Sequence, residues 1–335
     1  MKVYLAMPKD AEVTKTFFPP ELIRKLEDAF DMVYLPGDSR ATAEDFLKYA
    51  RDCDAVITGW GHPVISSELL SGTKVRLIAH TGGSVGSLVT PEVYDAGVKV
   101  ISGNLLFAES VAEGVVAYML MGRRRLPHLV SSVRAGGWDL QRTSPTKGLL
   151  GETVGLVGFG TITRALIEML RAFRVKIMLY SSHAPEEDYC KKYNVTLASI
   201  NEIFSKCKIV SIHSAMNERT LGMIGKEQFD LLCDGALFIN TARGKIVKEE
   251  EMIEALKENR FDAVLDVYYN EPLECDSPLR TLDNVYPMPH VAGPTFDRRP
   301  LIAGSIIDNI LKFERGEDME LEISKDAAAR MTVGG

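Results

Sequence analysis

Residues 153–166, TVGLVGFGTITRAL, decide how this chain folds. An apolar, β-branched run ends at Gly158 and Gly160, and an amphipathic helical segment follows at once. Strand, glycine turn and helix in that order are what a phosphate-binding βαβ turn requires. Gly158 lets the chain turn tightly, Gly160 lets backbone approach a pyrophosphate, and a helix beginning near Ile162 points its first N–H groups at the anion. Gly158, Phe159, Gly160, Thr161 and Ile162 are therefore the first candidates for holding a dinucleotide. A bare GxG is equally compatible with an ordinary strand-to-helix turn, so the rest of the chain has to decide.

Two departures mark this stretch. The third glycine of the usual fingerprint is Thr163, which predicts a helix displaced slightly from its strand. At the end of the next strand, in MLYSSH, an acid would ordinarily accept from the adenosine ribose hydroxyls; Ser181, Ser182 and His183 stand there instead. Without that carboxylate a 2′-phosphate meets no repulsion, so both NAD and NADP are left open.

Outward from the glycine turn, strands and helices alternate in both directions. Residues 153–293 carry VGLVG, VKIML, KIVSI, ALFIN, DAVLDV and NVYPM as strands with helical runs between them, and residues 2–103 repeat the pattern with VYLAM, MVYLP, AVITGW, VRLIAH and VKVIS. Helix starts are marked by Pro19-Pro20, by Thr42 with Asp45 as a capping box, and by Thr90-Pro91. The expectation is an α/β protein of two doubly wound parallel-sheet domains, a Rossmann-type dinucleotide-binding domain and a flavodoxin-like substrate domain. One long apolar helix is predicted over Phe107–His128, followed by an irregular stretch, AGGWDLQRTSPTKG. The last helix, about Asp297–Glu314, has no strand after it and is expected to return to the first domain. The expected division is 1–104 plus 297–335 for substrate binding and 105–296 for the dinucleotide.

The chain has 335 residues, 46% of them hydrophobic, and a net charge of −7, which suits a soluble two-domain protein and gives nucleic acid or anionic lipid no attraction. The basic triplet Arg123, Arg124, Arg125 reads as a solvated helix end. Five scattered cysteines without CxxC spacing predict reduced thiols, a cytosolic setting and no metal site. No apolar run is expected to span a membrane, the N-terminus MKVYLAMPKD is expected to form a strand rather than a signal peptide, and no regulatory domain is expected after the last helix.

Three later segments, INTARG at 239–244, LDVYYNEPL at 265–273 and MPHVAG at 288–293, each end or follow a strand. In open parallel sheets ligands bind beyond the carboxyl ends of strands, so Arg243, Glu271 and His290 can converge. Together with VGFGTI and the loop HTGGSVGSL, these segments resemble the D-2-hydroxyacid dehydrogenase family, which includes D-lactate, phosphoglycerate, glyoxylate and hydroxypyruvate-reducing enzymes. The resemblance covers nearly the whole chain. It implies that Arg243 holds the substrate, that His290 is the acid–base, and that Glu271 is its carboxylate partner. It implies further that Thr241, Ala242, His213 and Asp266 lie beside the cofactor, Asp266 against the nicotinamide carboxamide, and that Gly82, Gly83 and Ser84 close over the substrate carboxylate; Asp266 reads equally well as a helix or turn cap. At His213 the family usually has a nearby proline where this chain has Ala215, which leaves that histidine's role open.

Chemistry supports the same roles. Reducing a keto acid needs a hydride, a proton for the developing alkoxide, and a grip on the carboxylate. An imidazole titrates near working pH, a neighbouring acid favours its protonated form, and a guanidinium offers a rigid fork of donors to carboxylate and polarised carbonyl. Taken singly, Arg243 could be a surface-paired arginine, Glu271 a solvated loop acid, His290 a core histidine; it is their order together that argues for chemistry. Trp60 and His62 could line a pocket or, equally, pack as core and turn. His80 reads as a strand-end residue bonded to backbone, and His128 and His183 as surface residues.

A dinucleotide-sensing, corepressor-like interaction protein is the alternative; it would call for disordered tails or an exposed peptide groove, which the sequence does not show. A scaffold that has lost cofactor binding through Thr163 and the missing ribose acid is a third reading. Hinge closure is expected for the enzyme reading and a homodimer from the resemblance, with 107–128 as the candidate dimer helix or, equally, an apolar helix buried within its own chain.

Overall fold

The structure, a computed structural model, describes residues 1–138 and 143–332. Part of the irregular stretch expected over 135–148 therefore lies outside the described residues, as do the last three positions of the first domain. The chain divides into two compact units, Met1–Ala108 with Pro294–Gly335, and Glu109–Gly293.

The first unit is built on β1 (Lys2–Pro8), β2 (Asp31–Leu35), β3 (Ala55–Thr58), β4 (Leu77–His80) and β5 (Lys99–Ser102), all parallel in the order β2-β1-β3-β4-β5. Side chains of a strand alternate between faces, and both faces here are covered. Val3, Leu5 and Met7 bury with Phe17, Leu26 and the apolar stripe Ile302, Ile306, Ile310 of the helix Arg299–Arg315. Tyr4 and Ala6 bury on the other side with Phe46, Leu70, Val93 and Ala328. The winding direction reverses between β1 and β3. There the chain closes up: a Cβ on Gly59 would lie 2.7 Å from Met7 Cε.

The expected helix starts are present. Pro20 opens Pro20–Ala29, and Thr42 and Asp45 form the reciprocal capping box. Thr90 occupies the N-cap before Pro91, but its side chain makes no cap hydrogen bond.

The second unit holds β6 (Thr153–Val157), β7 (Lys176–Tyr180), β8 (Val195–Leu197), β9 (Ile209–Ile212), β10 (Leu237–Asn240), β11 (Asp262–Leu265) and β12 (Val285–Pro287). They run parallel in the order β12-β11-β10-β9-β6-β7-β8. Sequence reading did not anticipate β8, a three-residue edge strand too short to show a period. The order reverses between β6 and β9, which places the glycine turn after β6 beside the loop after β9.

Three expectations are corrected. The long helix is Asn104–Arg123, and a separate helix, Leu126–Arg134, follows. Arg125 breaks the run in the left-handed region, φ 50°, and Pro127, which has no N–H to give, fits only the first turn of a new helix. Arg123 is not solvated: it is buried and donates to the carbonyls of Gly148 and Gly235 and to Glu152 at 2.9 Å. Asn104–Arg123 is also long and apolar enough to pass for a membrane span by length and composition. Ala112, Val115, Tyr118 and Met119 are nonetheless buried in the core of the second unit.

Candidate active site

The carboxyl end of β6 leads into the glycine turn. Gly158 has φ 108°, and a Cβ there would lie 2.5 Å from Ser214 N and 2.7 Å from His213 C. Only glycine lets this turn press against the loop after β9. Around Gly160 a Cβ would meet nothing within 4 Å, so that backbone faces open space. The N–H groups of Phe159, Gly160 and Ile162 have no acceptor among the described residues, and the helix Thr161–Leu170 has no side-chain cap. Such a helix start is an anion receptor. Thr163 is fully buried and donates to Gly158 O at 2.8 Å, so its hydroxyl ties the helix to the turn.

After β7, Ser181 donates to His183 O at 3.0 Å and accepts from His183 N, while Ser182 Oγ lies 3.1 Å from His183 Nδ1. The loop closes on itself and exposes hydroxyls and an imidazole. Phe159 turns edge-on to Tyr189, and the Arg164 guanidinium sits 4.2 Å above its ring.

Two buried polar groups nearby have no partner among the described residues: both ring nitrogens of His213, and Thr241 Oγ1. Burial pushes the His213 imidazole down to about 4, so it is neutral. Unsatisfied buried polar atoms ask for an explanation. Together with the open Gly160 backbone and the free helix-end donors, they fit a dinucleotide.

Arg243, Glu271 and His290, the candidate reacting residues, lie on the loops after β10, β11 and β12. Asn240 closes the first loop, accepting from Ala242 N and donating to Arg243 O, both at 3.1 Å. The Arg243 Nη1 donates to Ala242 O at 2.6 Å; burial lowers the guanidinium's pKa and the nearby Glu271 charge opposes that. Gly244 then passes so close to the β11 loop that a Cβ would sit 1.9 Å from the Tyr268 carbonyl carbon. Backbone-to-backbone contact of this kind locks the Arg243 loop to the Glu271 loop.

Glu271 is held from both sides. Its Oε1 accepts from Tyr268 N at 3.1 Å and its Oε2 lies 2.7 Å from His290 Nδ1. Tyr268 is itself anchored, with its hydroxyl 2.9 Å from Leu265 O and 2.8 Å from Met288 O. With Nδ1 committed to Glu271, the half-exposed His290 ring is left its Nε2 for chemistry.

His290 is at φ 55°, a conformation unfavourable for a residue with a Cβ. Asp266 stabilises it: Oδ1 accepts from Val291 N and Oδ2 from Ala292 N, each at 2.9 Å. Tyr118, from the helix Asn104–Arg123, donates to the same Oδ1 at 3.0 Å, and its pKa is raised first by burial and then by that carboxylate. One turn earlier the helix passes so close that a Cβ on Gly114 would lie 2.9 Å from Ala292 O. The buried Asp266 thus has at least three donors of its own.

In the first unit the N–H groups of Gly82, Gly83 and Ser84 donate to nothing among the described residues. The Ser84 hydroxyl is committed to Thr332 O at 3.2 Å. His80 is buried, lies 3.0 Å from the Thr58 hydroxyl rather than a backbone carbonyl, and is pushed down to about 4 by burial. Tyr118, Tyr268, Asn240 and Gly244 were missed in sequence reading. Only Gly244 carried a signal there, as a glycine directly after a functional candidate. Among the described residues no group of three or more His, Cys, Asp or Glu is placed to hold a metal.

Residues 116–292 match the NAD-binding domain of the D-isomer specific 2-hydroxyacid dehydrogenases, and the chain belongs to that family. It is 28% identical to a glyoxylate reductase of Korarchaeum cryptofilum, over 89% of this chain and 91% of the relative. With the D-3-phosphoglycerate dehydrogenase of Methanocaldococcus jannaschii it shares 29% identity over 89% of its own length, spanning 56% of that protein. A glyoxylate reductase structure from Paecilomyes thermophila superposes with a TM-score of 0.78 at 20% identity, covering 97% and 99% of the two chains, which is a likeness of fold. The protein is an oxidoreductase that moves a hydride between NAD(P) and a 2-keto or D-2-hydroxy acid, and nothing in the comparisons favours the sensor alternative.

Proposed function

We propose that His290 is the acid–base of this reaction, Glu271 its orienting carboxylate and Arg243 the group that grips the keto acid. The carrying observation is the 2.7 Å contact of His290 Nδ1 with Glu271, which fixes the ring and leaves Nε2 outward. A reduced dinucleotide, when bound, supplies the hydride. As negative charge grows on the substrate carbonyl oxygen, His290 delivers the proton to it, and in oxidation takes the proton back. Glu271 holds the ring in place for that transfer. The donors of Arg243 left over from Ala242 suit a carboxylate and the adjacent carbonyl oxygen.

In the first unit, the unbonded N–H groups of Gly82, Gly83 and Ser84 are the proposed receptor for a carboxylate. The turn at Phe159–Ile162 is the proposed pyrophosphate cradle, with His213, Thr241, Ala242 and the Ser181–His183 loop around the remainder of the dinucleotide. That loop has hydroxyls and an imidazole where an acid would exclude a 2′-phosphate, which supports use of NADP as well as NAD.

The reading extends to a homodimer in the cytosol. The helix Leu126–Arg134 buries none of its residues in its own chain and exposes Leu126, Val130 and Val133 at helical spacing. All five cysteines are free. Titrating the protein with NADH and NADPH in parallel, then adding glyoxylate, hydroxypyruvate and pyruvate, tests the reading. Binding followed by oxidation of the dinucleotide is the expected result; binding without oxidation by any of the three would count against it.

A further inference from the structure

The first sheet has a switch point of its own, and nothing described so far uses it. Its strand order reverses between β1 and β3, and ligands of doubly wound sheets bind beyond the strand ends at such a point. The loop leaving β3 there carries Trp60, half exposed, between Gly59 and Gly61.

Trp60 meets Phe17 edge-on at 5.3 Å and Phe107 edge-on at 6.0 Å between ring centroids. Into this aromatic group comes Arg299. Its guanidinium carbon lies 5.5 Å from the Trp60 ring centre, 5.6 Å from that of Phe17 and 4.6 Å from that of the exposed Phe296. Nη1 donates to Thr16 Oγ1 at 3.1 Å and Nε to Pro294 O at 3.3 Å. Nη2 has no acceptor and the group no carboxylate partner among the described residues, and partial burial lowers its pKa with nothing opposing.

A guanidinium set among aromatic rings keeps its charge, and the N–H donors not given to Thr16 and Pro294 match a carboxylate or phosphate. Arg40 approaches the same loop from another side. Its Nη1 would lie 2.6 Å from a Cβ on Gly61, and it too has no acidic partner among the described residues. The cluster is also continuous with the loop of unbonded N–H groups, because Phe107 lies 3.5 Å from where a Cβ on Gly83 would be.

We infer that Arg299, set among the rings of Trp60, Phe17 and Phe296 beside the Gly82–Ser84 loop, is a specificity residue for 2-keto acids that carry a second anionic group, a carboxylate or a phosphate. This rests on the keto-acid reading above. A charge left without an acid in a partly apolar setting is costly, and a substrate oxyanion relieves it. Small neutral-tailed keto acids leave the edge of Arg299 to water and gain nothing from it.

The test compares kcat/KM for 2-oxoglutarate and 3-phosphohydroxypyruvate with kcat/KM for glyoxylate, in the wild type, Arg299→Gln and Arg299→Lys. The ratio of dianion to glyoxylate is expected to exceed ten in the wild type, to fall at least tenfold in Arg299→Gln, and to fall less in Arg299→Lys. Whichever dianion loses more identifies carboxylate or phosphate as the partner. Equal loss on all substrates, or an unchanged ratio, overturns the inference.

A second readout does not need turnover. In a Trp138→Phe background Trp60 is the sole tryptophan of the chain, and inorganic phosphate and succinate should change its fluorescence saturably, an effect lost on adding Arg299→Gln. Failure of every keto acid to be reduced, with this signal intact, would sink the reductase roles while upholding the anion site. No signal with either anion would sink the site.

Discussion

The hydroxyl of Tyr118 lies 3.0 Å from Asp266 Oδ1, the oxygen that also accepts from the N–H of Val291, the residue after His290. A core helix is thereby joined through one buried carboxylate to the backbone that presents His290. A hydrogen bond to a charged group contributes about 1.5–3 kcal/mol. Tyr118→Phe should therefore lower kcat, through a less well-held His290, by up to about 10- to 100-fold, with the dinucleotide Kd nearly unmoved. Steady-state kinetics beside a binding titration will show it; a change in Kd alone would assign Tyr118 to the cofactor instead.

Gly158 and Gly160 should respond differently to the same methyl group. Gly158→Ala forces the turn into the backbone of His213 and Ser214 at a φ that side chains avoid, so the second unit should lose stability and dinucleotide binding together. At Gly160 the added Cβ meets nothing, and the cost to folding is only the N-cap preference, about 1 kcal/mol. Dinucleotide affinity should nonetheless drop tenfold or more. Calorimetric melting alongside fluorescence titration separates the two outcomes, and an unaffected affinity in Gly160→Ala would remove this turn from the cofactor site.

Arg243→Lys keeps the charge and loses the fork. Two donors to a carboxylate become one point contact, and kcat/KM for any keto acid should fall by about 10²-fold with the dinucleotide Kd unchanged. If the only effect is a lower melting temperature, Arg243 is a structural clamp on the Ala242 carbonyl.

Acid should weaken this protein before its carboxylates titrate. His80 and His213 protonate at about 4 when folded and near 6.5 when unfolded. Between those values the unfolded chain binds more protons, so stability is full above about pH 6.5 and is lost as pH falls toward 4. The urea midpoint followed from pH 7.5 to 4.5 should decline over that window, and His213→Asn should flatten the decline by about one proton. A midpoint indifferent to pH over this range would mean that neither histidine is held neutral.

What could be read in the sequence was what local chemistry writes into it. The glycine turn at 158–160, the alternation of elements and the strand-end positions of Arg243, Glu271 and His290 are short-range signals. The misreadings have long-range causes. Arg123 looked like a solvated helix end because its partners, Gly148, Glu152 and Gly235, are 25 or more residues away. Tyr118 looked like one more apolar position, since only the fold brings it to Asp266, 148 residues on. For Asp266 the sequence left a nicotinamide contact and a turn cap equally open, and its bonds to Val291 N and Ala292 N make it the cap of the turn that holds His290. Gly244 needed the fold as well, because its neighbour is the carbonyl of Tyr268.

The proposed proton transfer by His290 is read in single-turnover oxidation of bound reduced dinucleotide by a keto acid. With dinucleotide prebound, His290→Ala should slow that step by about 10²- to 10⁴-fold while binding the dinucleotide as the wild type does. Oxidation at the wild-type rate in His290→Ala would contradict the account and move the proton to another group.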